Sequence, residues 1–346
     1  MTDIPTFLAC PECQTPTLVP AEADEKLPSP FDSPRGLSCS NCDRFYPVID
    51  KIFVLWSDQL KSLQLADANS EEASLSDKVK RANIQIYDEV TSEYGEHHDG
   101  SQPYTQTQLF LKAIANEFRN KQTTHEDSVV VDVGCAIGAG LDVGSFGYRY
   151  RVGVDISLGN LRAVADRGHI PVLADAERLP FAADSIDLMT CFATLHHFPD
   201  PQKYLVESRR CLRAGGVALI AGEPSNQSMH MGPLAKLAWN SRKPVYRFLG
   251  RFSSRFYMHR NKDQQELNDL AEVNRSAGGF SEDDLRGFLS TAGFEAVKVF
   301  YGTDPSGFQR YSMPPWQHLV LRTLSFRNPL KRSNWMNLSA VGRADD

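Results

Sequence analysis

Four of the seven cysteines form two C-x₂-C pairs near the start of the chain. Cys10 and Cys13 are separated by Pro-Glu, and Cys39 and Cys42 are separated by Ser-Asn. Two thiolates spaced in this way can bind one metal ion from a single turn, and two such turns complete a tetrahedral shell of four sulfurs. The pattern predicts a structural Zn²⁺ site, with iron as the main competitor for such a shell. A thioredoxin-like redox site would need only one such pair.

A glycine-rich turn follows an apolar run in residues 129–140, VVVDVGCAIGAG. Asp132 ends the apolar run, and Gly134 and Gly138 come after it. Glycine is needed where a backbone turns tightly and a ligand lies against it without a Cβ in the way. The turn therefore predicts a cofactor site, although dinucleotide-binding folds use a similar turn.

Acidic residues also follow the next two apolar runs, at Asp155 and Asp175. A carboxylate at Asp155 is placed to accept hydrogen bonds from ribose hydroxyls, and Asp175 with Ala176 could lie beside an adenine ring. Ligands of open parallel sheets bind outside the carboxyl ends of the strands, so these acids predict one shared site.

Two adjacent histidines, His196 and His197, follow the fourth predicted strand. They lie at the rim where a second substrate would enter, and imidazole titrates near neutral pH. One of them could act as a general base if the acceptor has to lose a proton. The alternative is that the pair caps a helix or packs beneath the loop without taking part in chemistry.

Short β-rich runs alternate with helix-length segments through the middle of the chain. The predicted strands are residues 129–134, 150–157, 170–176, 185–192 and 216–223. This alternation is typical of βαβ units and predicts a doubly wound α/β fold with a mostly parallel sheet. Such a sheet brings the acids and the histidines to one edge. Further along, Ser281 and Asp284 are a capping pair that opens a helix, and Gly293 ends it.

Five sequence blocks together resemble the class I S-adenosylmethionine-dependent methyltransferases, and specifically the type 11 methyltransferase group. The blocks are VVVDVGCAIGAG, VGVDIS, ADAERLPFAADSIDLM, ATLHHFPDP and LRAGGVALIAGEP, which cover about residues 125–225. The resemblance implies a seven-stranded Rossmann-like sheet and S-adenosyl-L-methionine as the cofactor. It implies that the cofactor is bound by Asp132, Gly134, Gly138, Asp155, Ile156, Asp175, Ala176 and Phe192.

The N-terminal block with the paired cysteines resembles the small Trm112-like and ribosomal-RNA-methyltransferase zinc knuckles. It implies a small zinc-ribbon-like domain that precedes the methyltransferase core. Residues 87–99 resemble the family's N-terminal lid over the cofactor. The resulting domain prediction is a zinc-knuckle domain at 1–56, a linker at 57–80, the core with its lid at 81–228, a basic aromatic helical insertion at 229–275, and closing elements with a C-terminal tail at 276–346.

One departure from the family pattern concerns the cofactor turn. The middle glycine of the family's turn is Ala136 here, a change that a backbone with negative φ tolerates. A nicotinamide dinucleotide is the rival cofactor, but it would require G-x-G-x-x-G at this position, whereas the glycines here read G-x-x-x-G-x-G. The pattern therefore favours methyl transfer.

Composition and charge narrow the functional classes further. With 41% hydrophobic and 23% charged residues and no long apolar run, the 346-residue chain has the composition of a globular protein without a transmembrane helix. Its first residues lack a signal-peptide pattern, and cytoplasmic residence is the expectation. The net charge of −6 hides an asymmetry, because residues 229–262 contain eight basic residues and no acidic ones.

Three functional hypotheses follow from the sequence. The first is methylation of a small or lipid-linked, anionic metabolite, with the basic insertion covering the acceptor pocket. The second is methylation of a base in ribosomal or transfer RNA, which the acidic character of residues 1–60 disfavours. The third is a non-enzymatic scaffold that activates a partner and binds no cofactor.

Within the insertion, residues 244–257 predict an amphipathic helix with Arg247, Arg251 and Arg255 on one side. Such a helix suits an anionic acceptor or a membrane surface, or it simply packs on the core as a cap.

Overall fold

The computed structural model describes residues 4–65, 74–89, 128–142, 148–230, 232–241, 244–245, 248, 262–302, 320, 323–326 and 337–345. Its strands are β1 Leu18–Glu22, β2 Arg35–Cys39, β3 Phe45–Ile49, β4 Ile52–Val54, β5 Val129–Val133, β6 Tyr150–Asp155, β7 Ile170–Leu173, β8 Ile186–Phe192, β9 Leu212–Glu223, β10 Glu295–Tyr301 and β11 Leu338–Arg343. The helices in these ranges are α1 Asp58–Leu65, α2 Leu75–Glu89, α3 Ala139–Asp142, α4 Leu158–Asp166, α5 Pro201–Cys211, α6 Asn226–Met229, α7 Pro233–Ser241, α8 Lys262–Ala271, α9 Val273–Ser276 and α10 Glu282–Thr291. A 3₁₀ turn spans Leu195–His197.

The strands form one eleven-stranded sheet in the order β1-β2-β3-β4-β7-β6-β5-β8-β9-β11-β10. The strands from β4 to β9 in this order run parallel, and antiparallel strands complete both sides. All five residues of β5 are buried, as expected for a parallel strand with both faces covered. This arrangement is the doubly wound α/β architecture that the strand pattern predicted.

The prediction of a seven-stranded sheet was wrong, because four strands of the N-terminal segment extend the sheet to eleven strands. Seven strands come from residues 129–343, and β1 to β4 continue the same sheet beyond β7. The extension works through β4, whose Phe53 and Val54 pair with Val172 and Leu173 in parallel register. An exposed edge of β7 would leave backbone N–H and C=O groups unpaired, and β4 covers that edge.

The N-terminal segment also shares the hydrophobic core of the rest of the chain. Leu37, Tyr46 and Trp56 belong to the same buried cluster as Val131 and Val154. Backbone hydrogen bonds reinforce this packing, from the Ala9 amide to the Pro180 carbonyl at 2.9 Å and from the Ala182 amide to the Phe7 carbonyl at 2.9 Å. The domain boundary at residue 56 stays a prediction, but the segment before it packs against the central sheet.

Residues 57–80, expected as a linker, are largely helical where the structure describes them. They contain α1, which buries Leu60 and Leu63, and the start of α2, which buries Val79 and continues with buried Ile86. Apolar residues that recur every three or four positions place one side of each helix against the core. Helix α2 therefore belongs to the body of the protein and can contribute to a site.

The closing elements follow the sequence prediction. Helix α10 begins after Ser281, whose hydroxyl accepts from the Asp284 amide while the Asp284 carboxylate accepts from the Ser281 amide. Gly293 follows the helix with φ of +86°, the left-handed conformation that glycine adopts at helix ends.

Within the described ranges, no helix has the length and apolar character needed to cross a bilayer. Most of the predicted helix at 244–257, including all three of its arginines, lies outside the described residues.

Candidate functional site

A cavity opens at the carboxyl ends of the central parallel strands. Six of the eight predicted cofactor residues line it, namely Gly134, Asp155, Ile156, Asp175, Ala176 and Phe192. The structure therefore brings together residues from four different strand ends, as the parallel topology requires.

The turn after β5 has a left-handed backbone at three alternate positions. Gly134, Ala136 and Gly138 have φ values of +70°, +46° and +77°. At Gly134 an added Cβ would lie 2.0 Å from Cγ2 of Thr194, so no larger residue fits there. The negative φ under which an alanine would be tolerated at position 136 is not present, and an alanine in this left-handed conformation costs about 1 kcal/mol because its Cβ crowds the carbonyl oxygen.

Asp155 is the buried carboxylate that this turn holds in place. Its Oδ2 accepts a hydrogen bond from the Ala136 amide and its Oδ1 one from the Ser157 amide, each at 2.9 Å. Burial raises the pKa of Asp155 to about 6, although these two backbone hydrogen bonds and one from the Asn160 side chain oppose the shift. A carboxylate has about four acceptor positions, so part of this capacity remains for a ribose hydroxyl. The residues that line the cavity therefore fit a nucleoside.

Asp132 and Gly138 lie outside the lining of the cavity. The carboxylate of Asp132 is buried beneath the turn and accepts a hydrogen bond from Thr190 Oγ1 at 2.8 Å. Burial raises the pKa of Asp132 to about 7. Gly138 packs against Val164 of α4. Both residues shape the turn from behind rather than face the cavity directly.

Helix α2 contributes a lysine that the sequence analysis did not identify. Lys80 Nζ lies 2.6 Å from Asp175 Oδ2 and 2.9 Å from Glu177 Oε2, and all three side chains are buried. Burial lowers the pKa of Lys80, but the two carboxylates raise it by more, so the ammonium group stays charged. The Asp175 carboxylate predicted to face adenine is thus half of an ion pair. Val79, Lys80 and Asn83 are buried on one side of α2. Their helical spacing was the sequence signal that could have placed this side of α2 against the rest of the protein.

The two adjacent histidines have different environments. His196 is bound to Glu223, with Nδ1 at 2.9 Å from Oε2, and it does not line the cavity. The same carboxylate accepts hydrogen bonds from the amides of Thr194, Leu195 and His196, each at 3.0 Å. Glu223 therefore fixes the 3₁₀ turn, and His196 is part of that arrangement.

His197 lines the cavity and has one nitrogen available for chemistry. Its Nδ1 lies 2.9 Å from Asn83 Oδ1 and 3.1 Å from the Ala271 carbonyl oxygen. Both neighbours are acceptors, because the amide nitrogen of Asn83 itself donates to the Val79 carbonyl. Nδ1 therefore carries the proton, and the lone pair is on Nε2, which lies 3.5 Å from the hydroxyl of Tyr87. Burial holds the pKa of His197 well below its usual value, so the ring is neutral at physiological pH.

Glu272 completes a second group of possible metal ligands. One ring nitrogen each of His196 and His197 and one carboxylate oxygen of Glu272 lie within 4.8 Å of one another. However, Nη1 of Arg275 lies 3.1 Å from both oxygens of Glu272, and Glu223 engages His196. Hydrogen bonds and an ion pair already account for this group.

The four paired cysteines converge on one point. Their sulfur atoms all lie within 4.8 Å of one another. The cross-pair distances are 3.6 Å for Cys10–Cys42 and 3.5 Å for Cys13–Cys39. A tetrahedral shell with Zn–S bonds of about 2.3 Å has sulfur separations of about 3.8 Å. The cluster therefore has the dimensions of a four-sulfur metal site.

The two cysteine turns have the same backbone geometry. The Gln14 amide donates to the Cys10 carbonyl and the Asp43 amide donates to the Cys39 carbonyl, each at 2.8 Å. Gln14 and Asp43 both have left-handed backbones, with φ of +58° and +56°. Two equivalent turns that face each other present four sulfurs to one centre, which explains why two C-x₂-C pairs meet despite the long interval between them.

Part of the chain matches a known protein family. Residues 131–220 match the family model described as a methyltransferase domain. The chain is 29% identical over 139 residues to the mouse tRNA (carboxymethyluridine(34)-5-O)-methyltransferase ALKBH8, an alignment that covers 39% of this chain and 19% of the relative. It is also 29% identical over 120 residues to the Caenorhabditis elegans sterol 4-C-methyltransferase strm-1, covering 32% of this chain and 35% of the relative.

The chain spans only a minor part of the length of both relatives, so the similarity concerns one region and not the whole proteins. Among solved structures, the Haemonchus contortus phosphoethanolamine N-methyltransferase 2 in complex with S-adenosyl-L-methionine is similar with a TM-score of 0.46 at 15% identity. That comparison covers 80% of this chain and 60% of the other.

Proposed function

We propose that this protein transfers a methyl group from S-adenosyl-L-methionine to a small or lipid-linked, anionic acceptor. The observation that carries the proposal is the cavity itself, which brings six predicted cofactor residues and the neutral imidazole of His197 to one space. The two relatives name different acceptors, a tRNA and a sterol, so the acceptor class rests on this chain's own residues.

The cofactor supplies an activated methyl group when it is bound. The protein's residues then hold it by the means seen in the cavity. Asp155 would accept hydrogen bonds from the ribose hydroxyls, and Ile156 and Phe192 would provide apolar walls. The ion pair of Asp175 with Lys80 would fix the loop on the adenine side, because Lys80 holds both Asp175 and Glu177. Positioning of this kind is the main contribution of the protein to a displacement on an activated carbon.

His197 would act as the general base toward an acceptor that has to lose a proton. Asn83 and the Ala271 carbonyl hold its Nδ1–H, which leaves Nε2 as the proton acceptor on the cavity side. Its lowered pKa keeps that nitrogen unprotonated at neutral pH. Tyr87 lies next to Nε2 and would help to orient the acceptor. Glu223 keeps the turn rigid, so His196 has a positioning role.

The anionic character of the acceptor is inferred from the basic insertion. Residues 229–262 contain eight basic residues and no acidic ones, and in the sequence they come after β9, a strand that ends at the carboxyl edge of the sheet. A positive segment near the entrance raises the local concentration of an anionic substrate. The stripe of Arg247, Arg251 and Arg255 stays a sequence prediction. An RNA acceptor is the alternative, and no described contact favours it.

We further propose that Cys10, Cys13, Cys39 and Cys42 hold one structural Zn²⁺. The support is the convergence of the four sulfurs and the matched geometry of the two turns. Four protein ligands leave no open position for a substrate, so the ion would stabilise the N-terminal strands rather than take part in catalysis.

Isothermal titration calorimetry with S-adenosyl-L-methionine tests the cofactor assignment. Binding with a dissociation constant on the order of 1 μM is expected. Asp155→Ala should weaken it roughly 10- to 100-fold, since a charge-assisted hydrogen bond contributes about 1.5–3 kcal/mol. Asp166→Ala, which removes an exposed carboxylate at the end of α4, is the matched control. Equal affinity of the Asp155 variant and the control would refute the ribose assignment.

The acceptor class is tested with cofactor that carries a labelled methyl group. Transfer is measured separately into lipid, small-molecule and RNA fractions of a cell extract. The proposal expects label in the lipid or small-molecule fraction, reduced on the order of 100-fold in His197→Gln with cofactor affinity retained. Label in the RNA fraction alone would favour the alternative acceptor and contradict the proposal.

A further inference from the structure

Exposed apolar side chains are concentrated in two segments on the C-terminal side of β9. Nine large apolar residues are exposed in the described part of the chain, and six of them come from positions 234–248 and 320–326. We define these six as the apolar rim: Leu234, Leu237, Val245, Phe248, Val320 and Phe326. Scattered exposed apolar residues are ordinary on protein surfaces, but a concentration of this kind marks an interaction surface.

Helix α7 shows that this exposure is not a by-product of core packing. Its buried position is occupied by Ala235, whereas Leu234 and Leu237 are 51% and 68% exposed. These two leucines are three positions apart and lie on one side of the helix. A helix that only covered the core would bury its leucines and expose its small and polar residues. Helix α7 instead exposes both leucines and buries Ala235, and its polar residues Lys236 and Asn240 are exposed as well.

The two segments of the apolar rim are neighbours in space. An added Cβ at Gly232 would lie 3.3 Å from Cα of Ser325, so the chain just before α7 packs directly against residues 323–326. Phe326, the next residue after Ser325, is 85% exposed. The start of α7 and this short segment therefore form one continuous part of the surface.

Both segments lie within longer stretches of the sequence that are strongly basic. Residues 229–262 contain eight basic and no acidic residues, and residues 305–336 contain five basic and no acidic residues. The chain as a whole carries a net charge of −6, so these stretches contrast with the rest of the molecule. Exposed Leu, Val and Phe side chains among Lys and Arg are the features with which peripheral proteins bind an anionic bilayer surface.

We propose that the apolar rim, together with the basic residues near it in the sequence, docks this protein on an anionic lipid bilayer. The apolar side chains enter the boundary between headgroups and acyl chains, and the basic side chains lie among the anionic headgroups. The aliphatic members of the rim distinguish this partner from RNA, because Leu and Val have no ring on which a base can stack. The proposal goes beyond methyl transfer and would hold for any acceptor.

Co-sedimentation of the full chain with lipid vesicles tests the proposal. Two kinds of vesicle are compared, phosphatidylcholine alone and phosphatidylcholine with about a quarter phosphatidylglycerol. The test variant is Leu234→Gln with Leu237→Gln, which removes the exposed leucines of α7. The matched control is Val206→Gln with Leu75→Gln, since these residues are 48% and 64% exposed outside the rim. All four positions are on the surface, so the melting temperature of each variant should stay close to that of the parent.

The proposal expects binding to the anionic vesicles and little binding to the neutral ones. The Leu234 and Leu237 variant should lose affinity on the order of tenfold or more, and the control should bind like the parent. Added salt should weaken binding because exposed charges are screened. No vesicle binding at low salt, equal binding by the leucine variant, or binding to purified tRNA in place of vesicles would each overturn the proposal.

Discussion

The buried carboxyl group of Asp132 gives the protein a pH-dependent stability that can be measured without any substrate. The side chain is 2% exposed, and burial raises its pKa from 3.8 to about 7. At 1.36 kcal/mol for each pH unit, this difference corresponds to an upper limit of about 4 kcal/mol. Asn at this position keeps an oxygen that can accept the hydrogen bond from Thr190 and removes the charge. Asp132→Asn therefore isolates the effect of ionisation.

The sign of the effect follows from which state loses its proton first. Below pH 3.8 the Asp132 carboxyl is protonated in both the folded and the unfolded protein, so it does not lower the free energy of unfolding. Between pH 3.8 and about 7 the unfolded chain ionises while the folded protein holds the proton, so folding becomes less favourable as the pH rises. Above about pH 7 the full cost is present. The variant should therefore exceed the parent in stability by about 1 kcal/mol near pH 4.5 and by up to about 4 kcal/mol near pH 8.

Urea unfolding of both proteins, followed by circular dichroism across this pH range, measures the difference. Groups distant from position 132 titrate alike in the parent and the variant, so their contributions cancel in the comparison, whereas Asp155, whose charge helps to raise the Asp132 pKa, titrates differently in the two proteins. Asp166→Asn changes an exposed carboxylate and should show no such trend. A stability difference that stays constant between about pH 4.5 and 8 would show that Asp132 is not held protonated by burial. A gain in stability with a loss of cofactor affinity would mark Asp132 as a residue kept for function.

Three further changes test the turn, the cysteine cluster and the buried ion pair. Ala136→Gly should raise the free energy of unfolding by about 1 kcal/mol in urea titrations, because glycine adopts positive φ freely, and a decrease would contradict the strain assigned to the turn. Cys39→Ser should remove zinc measured by elemental analysis and lower the melting temperature of the whole protein in one transition, since β4 joins the central sheet; a separate early transition would instead support an independent N-terminal domain. Lys80→Met should cost about 3–5 kcal/mol in chemical unfolding because it leaves Asp175 and Glu177 without a counter-charge, and adding Glu177→Gln should recover part of the loss. An unchanged stability of the single variant would mean that the pair is not formed in solution.

Sequence reasoning predicted the parts of the site that depend on local chain geometry. The glycine turn, the acids that follow the strands and the capping pair at Ser281 each depend on residues a few positions apart. The structure has Asp155, Asp175 and Ala176 in one cavity because parallel strands end at the same edge. The sequence left the sign of φ at Ala136 open, and the structure gives a positive value for a physical reason. The amide of this residue has to point at Asp155, and the left-handed backbone achieves this at the cost of strain.

The residues that sequence reasoning missed are those brought to the site by a distant helix. Lys80 lies in the region predicted to be a linker or a solvated helix, Asn83 lies in the predicted core, and their partners are 95 and 114 positions away in the chain. A polar residue on the buried side of a helix carries no sequence signal that names its partner. Only packing of α2 over the strand ends determines that Lys80 meets Asp175 and Asn83 meets His197.

The sequence by itself determined the local chemistry of this protein: two cysteine turns that can bind a metal, a glycine turn with acids at strand ends, and a pair of histidines. Tertiary structure alone decided how these parts are used. It joined the cysteine segment to the sheet through β4 and assigned two adjacent, chemically identical histidines to different surroundings. His196 meets a buried carboxylate, and His197 meets an amide and a carbonyl at Nδ1 and the Tyr87 hydroxyl at Nε2. Such differences arise from contacts between residues far apart in the chain, and the free energy of those contacts is defined only once the helices and strands have packed.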